Sequence, residues 1–101
     1  MSLLKIPEFQ LYLFSNTQSV IGGEKALLDA GVPCLIMPLP TALSASCGLA
    51  IKVAPEDSPQ AAAVFRQADL TPAALYKGIR EGHDTRFEPL PLVEGGAIDE
   101  K

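Results

Sequence analysis

Alternation and helical periodicity in the first third of the chain predict a strand followed by a helix. Residues 9–14 place aromatic and aliphatic side chains on both faces of an extended chain, which is typical of a central strand. Apolar residues then recur at helical spacing from Val20 to Leu28, and Gly31 ends the pattern. We therefore expect a helix over roughly residues 17–30. The N-capping side chains before this helix are offered by Ser15, Asn16 and Thr17.

Two glycines, Gly22 and Gly23, interrupt this helix pattern. Each costs about 1 kcal/mol relative to alanine in a helix interior. The pair therefore either weakens the helix or allows its backbone to approach the sheet closely, and we favour close packing.

Two shorter patterns predict the next strands. The apolar run Cys34–Met37 is followed by Pro38, and because proline donates no ladder hydrogen bond, this second strand is expected at an edge of the sheet. Apolar residues alternate with Ala50 and Lys52 over residues 49–53, which predicts a third strand. Lys52 is expected to be exposed on the face opposite Ile51.

The following region predicts a second helix and then an ambiguous segment. Ser58 is interpreted as a cap and Pro59 as a first-turn residue of a helix over roughly residues 59–69. Residues 71–82 have the local pattern of another short helix, whereas the fold would be completed by a fourth strand over Leu75–Arg80. The sequence leaves both alternatives open.

The order of these elements predicts an α+β domain with the ferredoxin-like (split βαβ) plan. In this plan an antiparallel sheet carries two helices on one face, the third strand lies between the first two, and those two strands end where the third begins. We expect this single domain to span residues 9–84. Residues 85–101 are rich in proline, glycine and charge, and are expected to form a tail that is either an edge segment (87–93) or disordered.

Composition and charge narrow the classes of function. A chain of 101 residues with 48% hydrophobic residues is expected to fold around one core. A net charge of −4 without a cluster of Lys and Arg argues against nucleic acid as a partner, and no apolar run is long enough to span a membrane. Two cysteines without a recognisable export signal favour a reducing compartment, so we expect a cytoplasmic protein.

The residues that point to chemistry precede the third strand. Residues 44–48 are small and leave the sulfur of Cys47 sterically open, and Gly48 permits backbone angles that other residues resist. We expect the backbone N–H groups of residues 17–19 to have no hydrogen-bond partner, and the predicted topology brings them toward this loop. The positive end of the helix dipole would then stabilise a thiolate and lower the pKa of Cys47. From the residues alone, a tight turn without chemistry remains the alternative.

Other candidate groups carry less weight. Cys34 is expected roughly 15 Å from Cys47, too far for a disulfide, and is interpreted as a small buried hydrophobic residue. His83 is interpreted as a solvated turn residue and not as the partner of a Cys/His pair. The spacing of these three residues does not match a zinc site, and no phosphate-binding loop is present, so no metal or cofactor is expected.

One block of the sequence, residues 38–53, resembles the selenium/sulfur carrier protein-like family. The resemblance covers roughly residues 10–70, and its other similar segments are Leu11–Phe14, Glu24–Leu28 and Ala30–Pro33. Its most specific element is a Ser-Ser-Cys-Gly-type loop, with Ala45 where serine is common, matched here by Ser44, Ser46, Cys47 and Gly48. Beyond Leu70 the chain departs from the family pattern.

The resemblance implies a cytosolic protein that holds sulfur or selenium on Cys47 and passes it from a donor protein to an acceptor protein. We expect Ser44, Ser46 and the Gly48 amide to hydrogen-bond the terminal anion. Asn16 and Thr17 are expected to support it from the start of the first helix.

Two further classes of function stay open. A non-catalytic interaction or regulatory module is the main alternative, and it includes a homodimer paired through its sheets. A thiol-dependent redox enzyme is disfavoured because no resolving cysteine is expected near Cys47. A carrier is favoured over a turnover enzyme because it needs little beyond an exposed, stabilised thiolate, but the sequence does not determine donor, acceptor, chalcogen or oligomeric state.

Overall fold

Along the chain, a strand and a helix are followed by two strands, a second helix and two final strands. The computed structural model describes residues 8–40, 43 and 48–91, which form five strands and two α-helices. The strands are β1 (Glu8–Leu13), β2 (Leu35–Pro38), β3 (Leu49–Val53), β4 (Ala74–Glu81) and β5 (Asp84–Leu90). The helices are α1 (Thr17–Asp29) and α2 (Ser58–Gln67), and a short 3-10 turn at Pro55–Asp57 precedes α2.

The five strands form one antiparallel sheet in the order β2-β3-β1-β4-β5. As expected, β1 is central, β2 lies at an edge and β3 lies between them. Because β1 and β2 are both antiparallel to β3, they run in the same direction and both end where β3 begins. We call this end of the sheet the Gly48 rim, after the residue that precedes β3.

The segment with two open alternatives is a strand. The helix that the local pattern favours over residues 71–82 is wrong, because β4 pairs with β1 along its length, from Glu8 opposite Ile79 to Leu13 opposite Ala74. Pairing with a central strand outweighs local helix propensity, since it satisfies the backbone groups on the open side of β1. The chain then turns into β5.

Strand β5 adds a fifth strand to the sheet, next to the segment that was predicted as the fourth and last strand. Its residues pair with β4 from Asp84 opposite Glu81 to Leu90 opposite Leu75, and β5 occupies the second edge. The sequence left two alternatives for the stretch after residue 84, an edge segment or disorder. Residues 84–90 form an edge strand. Residues 92–101 lie outside the described residues.

Both helices pack on one face of the sheet, which we call the helix face. Phe65 of α2 lies at the centre of this core, with its ring 5.0 Å from that of Tyr12 and 5.2 Å from that of Phe14, both edge-on. The other buried members of this core are Val20, Leu27, Val32, Ile51, Val53, Ala61 and Leu75. Edge-on aromatic contacts of this kind add to the stabilisation from buried area.

The opposite face of the sheet, which we call the second face, is also buried. Phe9, Leu11, Leu13 and Ala50 form a separate core there, each at most 4% exposed. Partly buried residues pack against it from β2, β4, β5 and the β2–β3 connection: Met37, Leu39, Leu43, Ala74, Tyr76 and Phe87. Strand β1 is therefore apolar on both faces because both of its faces are covered.

The two glycines of α1 have different surroundings. A Cβ added to Gly23 would lie 3.0 Å from Ile51 Cδ1 and 3.1 Å from Phe65 Cε1, so the helix approaches the sheet at this residue. A Cβ added to Gly22 would have no neighbour within 4 Å. The expected close packing is therefore confirmed for Gly23 and not for Gly22.

Ser58 connects α2 to the central strand. It was expected to cap the helix, but Asp57 is the N-cap residue and Ser58 is the first helical residue. Its hydroxyl lies 2.7 Å from the Tyr12 hydroxyl and donates a hydrogen bond to Gln10 Oε1. The Tyr12 hydroxyl also donates to the Ser58 carbonyl at 3.2 Å, and burial raises the pKa of Tyr12 above its usual value.

The contrast between the glycines predicts opposite responses to a methyl group. Gly22→Ala should raise the free energy of unfolding by about 1 kcal/mol through helix propensity alone. Gly23→Ala gains the same propensity but forces its methyl against Ile51 and Phe65, so we expect it to be less stable than Gly22→Ala by about 1 kcal/mol or more. Urea denaturation of both variants measures the difference, and equal stabilities would contradict the close approach.

The Ser58 contacts predict energetic coupling between α2 and β1. Ser58→Ala should lower the free energy of unfolding by about 1–3 kcal/mol, because the buried Tyr12 hydroxyl and the partly buried Gln10 side chain each lose a partner. In a Tyr12→Phe background the same substitution should cost less, since the phenol is already absent. A double-mutant cycle measured by urea denaturation tests this, and additive losses would show that the two hydroxyls are not coupled.

Candidate functional site

The predicted reactive loop is flanked by described residues on both sides. Ser44, Ser46 and Cys47 lie outside the described residues, whereas Gly48 lies directly after Cys47 in the chain. The Gly48 carbonyl accepts a hydrogen bond of 2.9 Å from the Leu39 N–H, which joins the chain just after β2 to the chain just before β3. The two ends of the connection are thereby held together at the Gly48 rim.

Gly48 has a backbone conformation that few other residues adopt. Its φ is +73°, in the left-handed region, and it is exposed. A side chain here would be strained even though no atom lies within 4 Å of where its Cβ would be. Glycine is therefore needed beside Cys47 because the chain adopts this left-handed conformation where it enters β3, and not because space is lacking.

The N-terminus of α1 lies at the same rim. Leu13, the last residue of β1, pairs with Ala50 of β3, and α1 begins four residues later at Thr17. Asn16 is the N-cap, and its Oδ1 accepts a hydrogen bond of 2.8 Å from the Ser19 N–H. The expectation that the Ser19 N–H is free is therefore wrong, because the capping side chain occupies it.

Asn16 and Thr17 are exposed, as a role at an accessible site requires. The structure assigns Asn16 a capping function that orients the first turn of α1. The positive end of the helix dipole, carried by the first-turn N–H groups, lies at the Gly48 rim. This rim can therefore stabilise negative charge without a basic side chain.

Cys34 lies at the opposite end of β2 from this rim. It is half-buried and packs against the helix-face core. Burial, with a smaller contribution from the nearby carboxylate of Glu24, raises the pKa of its thiol to about 11. A thiol that stays protonated at neutral pH is a poor nucleophile, so the interpretation of Cys34 as a structural residue is supported.

His83 also lies away from the Gly48 rim. It occupies the turn between β4 and β5 and is exposed, and the end of β4 is level with the start of β1. The sheet therefore places His83 at the end opposite Gly48. Within the described part of the chain, no group of three or more His, Cys, Asp or Glu side chains is placed to hold a metal ion.

Lys52 is the residue for which the sequence prediction was most wrong. It lies on the face opposite Ile51, as expected, but only 5% of it is exposed. Its Nζ lies 4.4 Å from the centroid of the Phe9 ring, a cation–π contact. Burial lowers the pKa of its ammonium group, and the charge of Arg80 lowers it further.

Lys52 lines a cleft of about 440 Å³ on the second face, which we call the Lys52 cleft. Its described walls are Phe9, Met37, Pro38, Pro40, Lys52, Arg80, His83, Asp84, Thr85 and Phe87. The signal that could have revealed it is the apolar character of both faces of β1, which requires cover on the second face as well. Lys52 shares that face, and so it is buried with its neighbours.

Comparison with known proteins gives one match. The family model described as "Putative Se/S carrier protein-like" matches residues 10–77, about two thirds of the chain. The matched range contains the Gly48 rim, α1 and both cysteines. No curated protein and no solved structure matches the chain. None of the described helices has the length and apolarity that a membrane span requires.

The raised pKa of Cys34 predicts slow alkylation. In a Cys47→Ser variant, the rate with iodoacetamide should be low at pH 8, where a thiol of pKa about 11 is roughly one part in a thousand thiolate, and should rise toward pH 11. Glu24→Gln should lower the midpoint modestly, because it removes the second cause of the shift.

The control for this measurement is the same variant unfolded in guanidinium chloride, whose thiol should titrate near the free value of about 8.5. Circular dichroism at each pH establishes that the native sample remains folded. A midpoint near the free value in the folded variant would contradict the burial of Cys34.

Proposed function

The chain belongs to the Se/S carrier protein-like family, and on that premise we propose that it holds a sulfur or selenium atom on Cys47 for transfer between a donor and an acceptor protein. The observation that carries the proposal is the match over residues 10–77, which includes the only cysteine flanked by small residues. The other cysteine, Cys34, has a raised pKa and is unsuited to the role.

The proposed loading step is a thiolate exchange. The Cys47 thiolate attacks the outer sulfur of a donor persulfide, a bond forms between Cys47 Sγ and that sulfur, and the sulfur–sulfur bond of the donor breaks. The donor leaves as a thiolate, so the electron count balances without an added oxidant or reductant. A donor perselenide would pass selenium in the same way. A nucleophile of the acceptor then attacks the terminal atom, the bond between that atom and Cys47 Sγ breaks, and Cys47 leaves as a thiolate.

Stabilisation of the terminal anion is proposed to come from backbone and hydroxyl donors. The hydroxyls of Ser44 and Ser46 and the N–H of Gly48 are the nearest such groups along the chain. The start of α1 lies at the same rim as Gly48, with Asn16 orienting its first turn and Thr17 beginning it. This arrangement supports a lowered pKa for Cys47, in contrast to the raised pKa of Cys34.

The architecture supports assigning the domain to the ferredoxin-like plan. The order β2-β3-β1-β4, with antiparallel pairing and two helices on one face, supports this proposal. Strand β5 is an addition at the outer side of β4. Since the proposed chemistry needs free thiols, we place the protein in a reducing compartment, the cytoplasm.

A second candidate function is a non-catalytic docking module. Ile21 and Leu28 lie two turns apart on α1 and are 56% and 55% exposed. Large apolar side chains this exposed on one side of a helix favour contact with another protein. Such a surface also suits a carrier, which must meet both a donor and an acceptor.

Intact-mass analysis separates the carrier from the docking module. The non-reduced protein, incubated with a cysteine desulfurase and free cysteine, should gain the mass of added sulfur. Cys34→Ser should gain it as well, whereas Cys47→Ser should not, because only Cys47 is proposed to be nucleophilic at neutral pH.

Two controls complete the experiment. A sample without free cysteine should show no adduct, and treatment with a thiol reductant should remove the adduct from the loaded protein. An adduct of equal amount on Cys47→Ser, or its absence from both other proteins, would refute Cys47 as the carrier residue.

A further inference from the structure

Lys52 is a buried cation on the second face of the sheet. Its ammonium group is packed over the ring of Phe9, and among the described residues no carboxylate forms a salt bridge with it. Burying a charge without a counter-charge is costly, and such groups are ordinarily paired. Burial lowers the pKa of Lys52, and the charge of Arg80, which has the same sign, lowers it further.

Three carboxylates of the neighbouring strands, those of Glu8, Glu81 and Glu88, pair with cations other than Lys52. Arg86 forms ion pairs with Glu81 at 2.9 Å and with Glu88 at 3.1 Å. Lys77 Nζ lies 3.6 Å from Glu8 Oε2. Of the acidic side chains that the structure describes, Asp84 lines the Lys52 cleft, together with the cations Lys52 and Arg80 and with His83. The ammonium of Lys52 therefore lies at a cleft that a ligand can enter.

The other walls of the cleft are apolar. The rings of Phe9 and Phe87 meet edge-on with their centroids 6.3 Å apart, on either side of Gly78 in the sheet register. A Cβ at Gly78 would overlap the Phe9 ring, so the glycine lets this ring lie flat against β4. Met37, Pro38 and Pro40 line the cleft from β2 and the residues after it.

We propose that the Lys52 cleft binds a small organic anion, with the anionic group at the Lys52 ammonium and the apolar part against Phe9 and Phe87. A volume of about 440 Å³ lies within the range of small-molecule sites, which combine apolar walls with a few fixed polar groups. The described lining has both components, and the ligand supplies a negative charge beside Lys52.

A bound anion would reverse both causes of the lowered pKa of Lys52. It would replace the solvation that burial removes, and it would offset the repulsion from Arg80. The cation–π contact with Phe9 keeps the ammonium in place before the ligand arrives. The site uses none of the residues assigned to sulfur or selenium transfer, so it does not depend on Cys47.

Isothermal titration calorimetry with the full chain and defined probes tests the proposal. Phenyl phosphate and benzoate carry a phosphate and a carboxylate on the same ring, and the tighter of the two identifies the preferred anionic group. Benzyl alcohol, which has no charge, should bind at least about tenfold more weakly than the preferred anion. Inorganic phosphate, which has no apolar part, should also bind more weakly than phenyl phosphate.

The decisive variant is Lys52→Met, which keeps the length of the side chain and removes its charge. It should weaken binding of the preferred anion by about tenfold or more, since a charge-assisted contact is lost. Lys25→Met is the matched control, because Lys25 is exposed on α1 and pairs with Asp29 at 3.4 Å, away from the cleft. Cys47→Ser should bind as the unaltered protein does.

Chemical-shift mapping on the unaltered protein keeps the test independent of how Lys52→Met folds. The preferred anion should shift the backbone amide signals of Phe9, Lys52 and Phe87, and leave those of Val20 and Leu27 on the helix face unchanged. The proposal would be overturned if neither anion bound, or if a folded Lys52→Met variant bound the preferred anion with unchanged affinity. Equal affinity for benzyl alcohol or inorganic phosphate, or chemical-shift changes confined to other regions, would also overturn it.

Discussion

The burial of β1 on both faces is the constraint on which the rest of the structure depends. Its residues alternate between the Phe65 core on the helix face and the Phe9–Leu11–Leu13 core on the second face. Because β1 also pairs with β3 on one side and β4 on the other, its position fixes the register of both neighbours. The start of α1, the Gly48 rim and the Lys52 cleft all take their positions from this strand.

Much of the helix face could be predicted from the sequence because its signals are local. Helix α1 and strands β1 and β3 have clear periodicity, and their observed bounds lie within one residue of the predicted ones. Strand β4 could not be predicted with the same clarity. The segment Pro72-Ala73-Ala74 at its start favours a helix locally, and only pairing with β1, which depends on the folded sheet, makes it a strand. The role of Ser58 could not be predicted either, since its hydroxyl forms hydrogen bonds with side chains of β1 and does not cap the helix.

Some features of the candidate site could likewise be predicted from the sequence, whereas others depend on the folded structure. The block around Cys47 is recognisable from residue order, and the family match over residues 10–77 includes it. The inert character of Cys34 was also anticipated, but its cause, burial beside Glu24, depends on packing. The burial of Lys52 was missed because alternation assigns a residue to a face and does not say whether that face is covered. The capping of Ser19 by Asn16 is a local interaction that the sequence offered but did not require.

The two outermost strands also limit how the protein meets others. Strand β2 has four residues and ends in Pro38, whereas β5 carries Arg86, Glu88 and Pro89. Short length, proline and charge are the means by which open sheet edges avoid recruiting a foreign strand. Another protein that contacts this domain is thereby directed to its loops and faces, and is kept from pairing a strand of its own with either edge of this sheet.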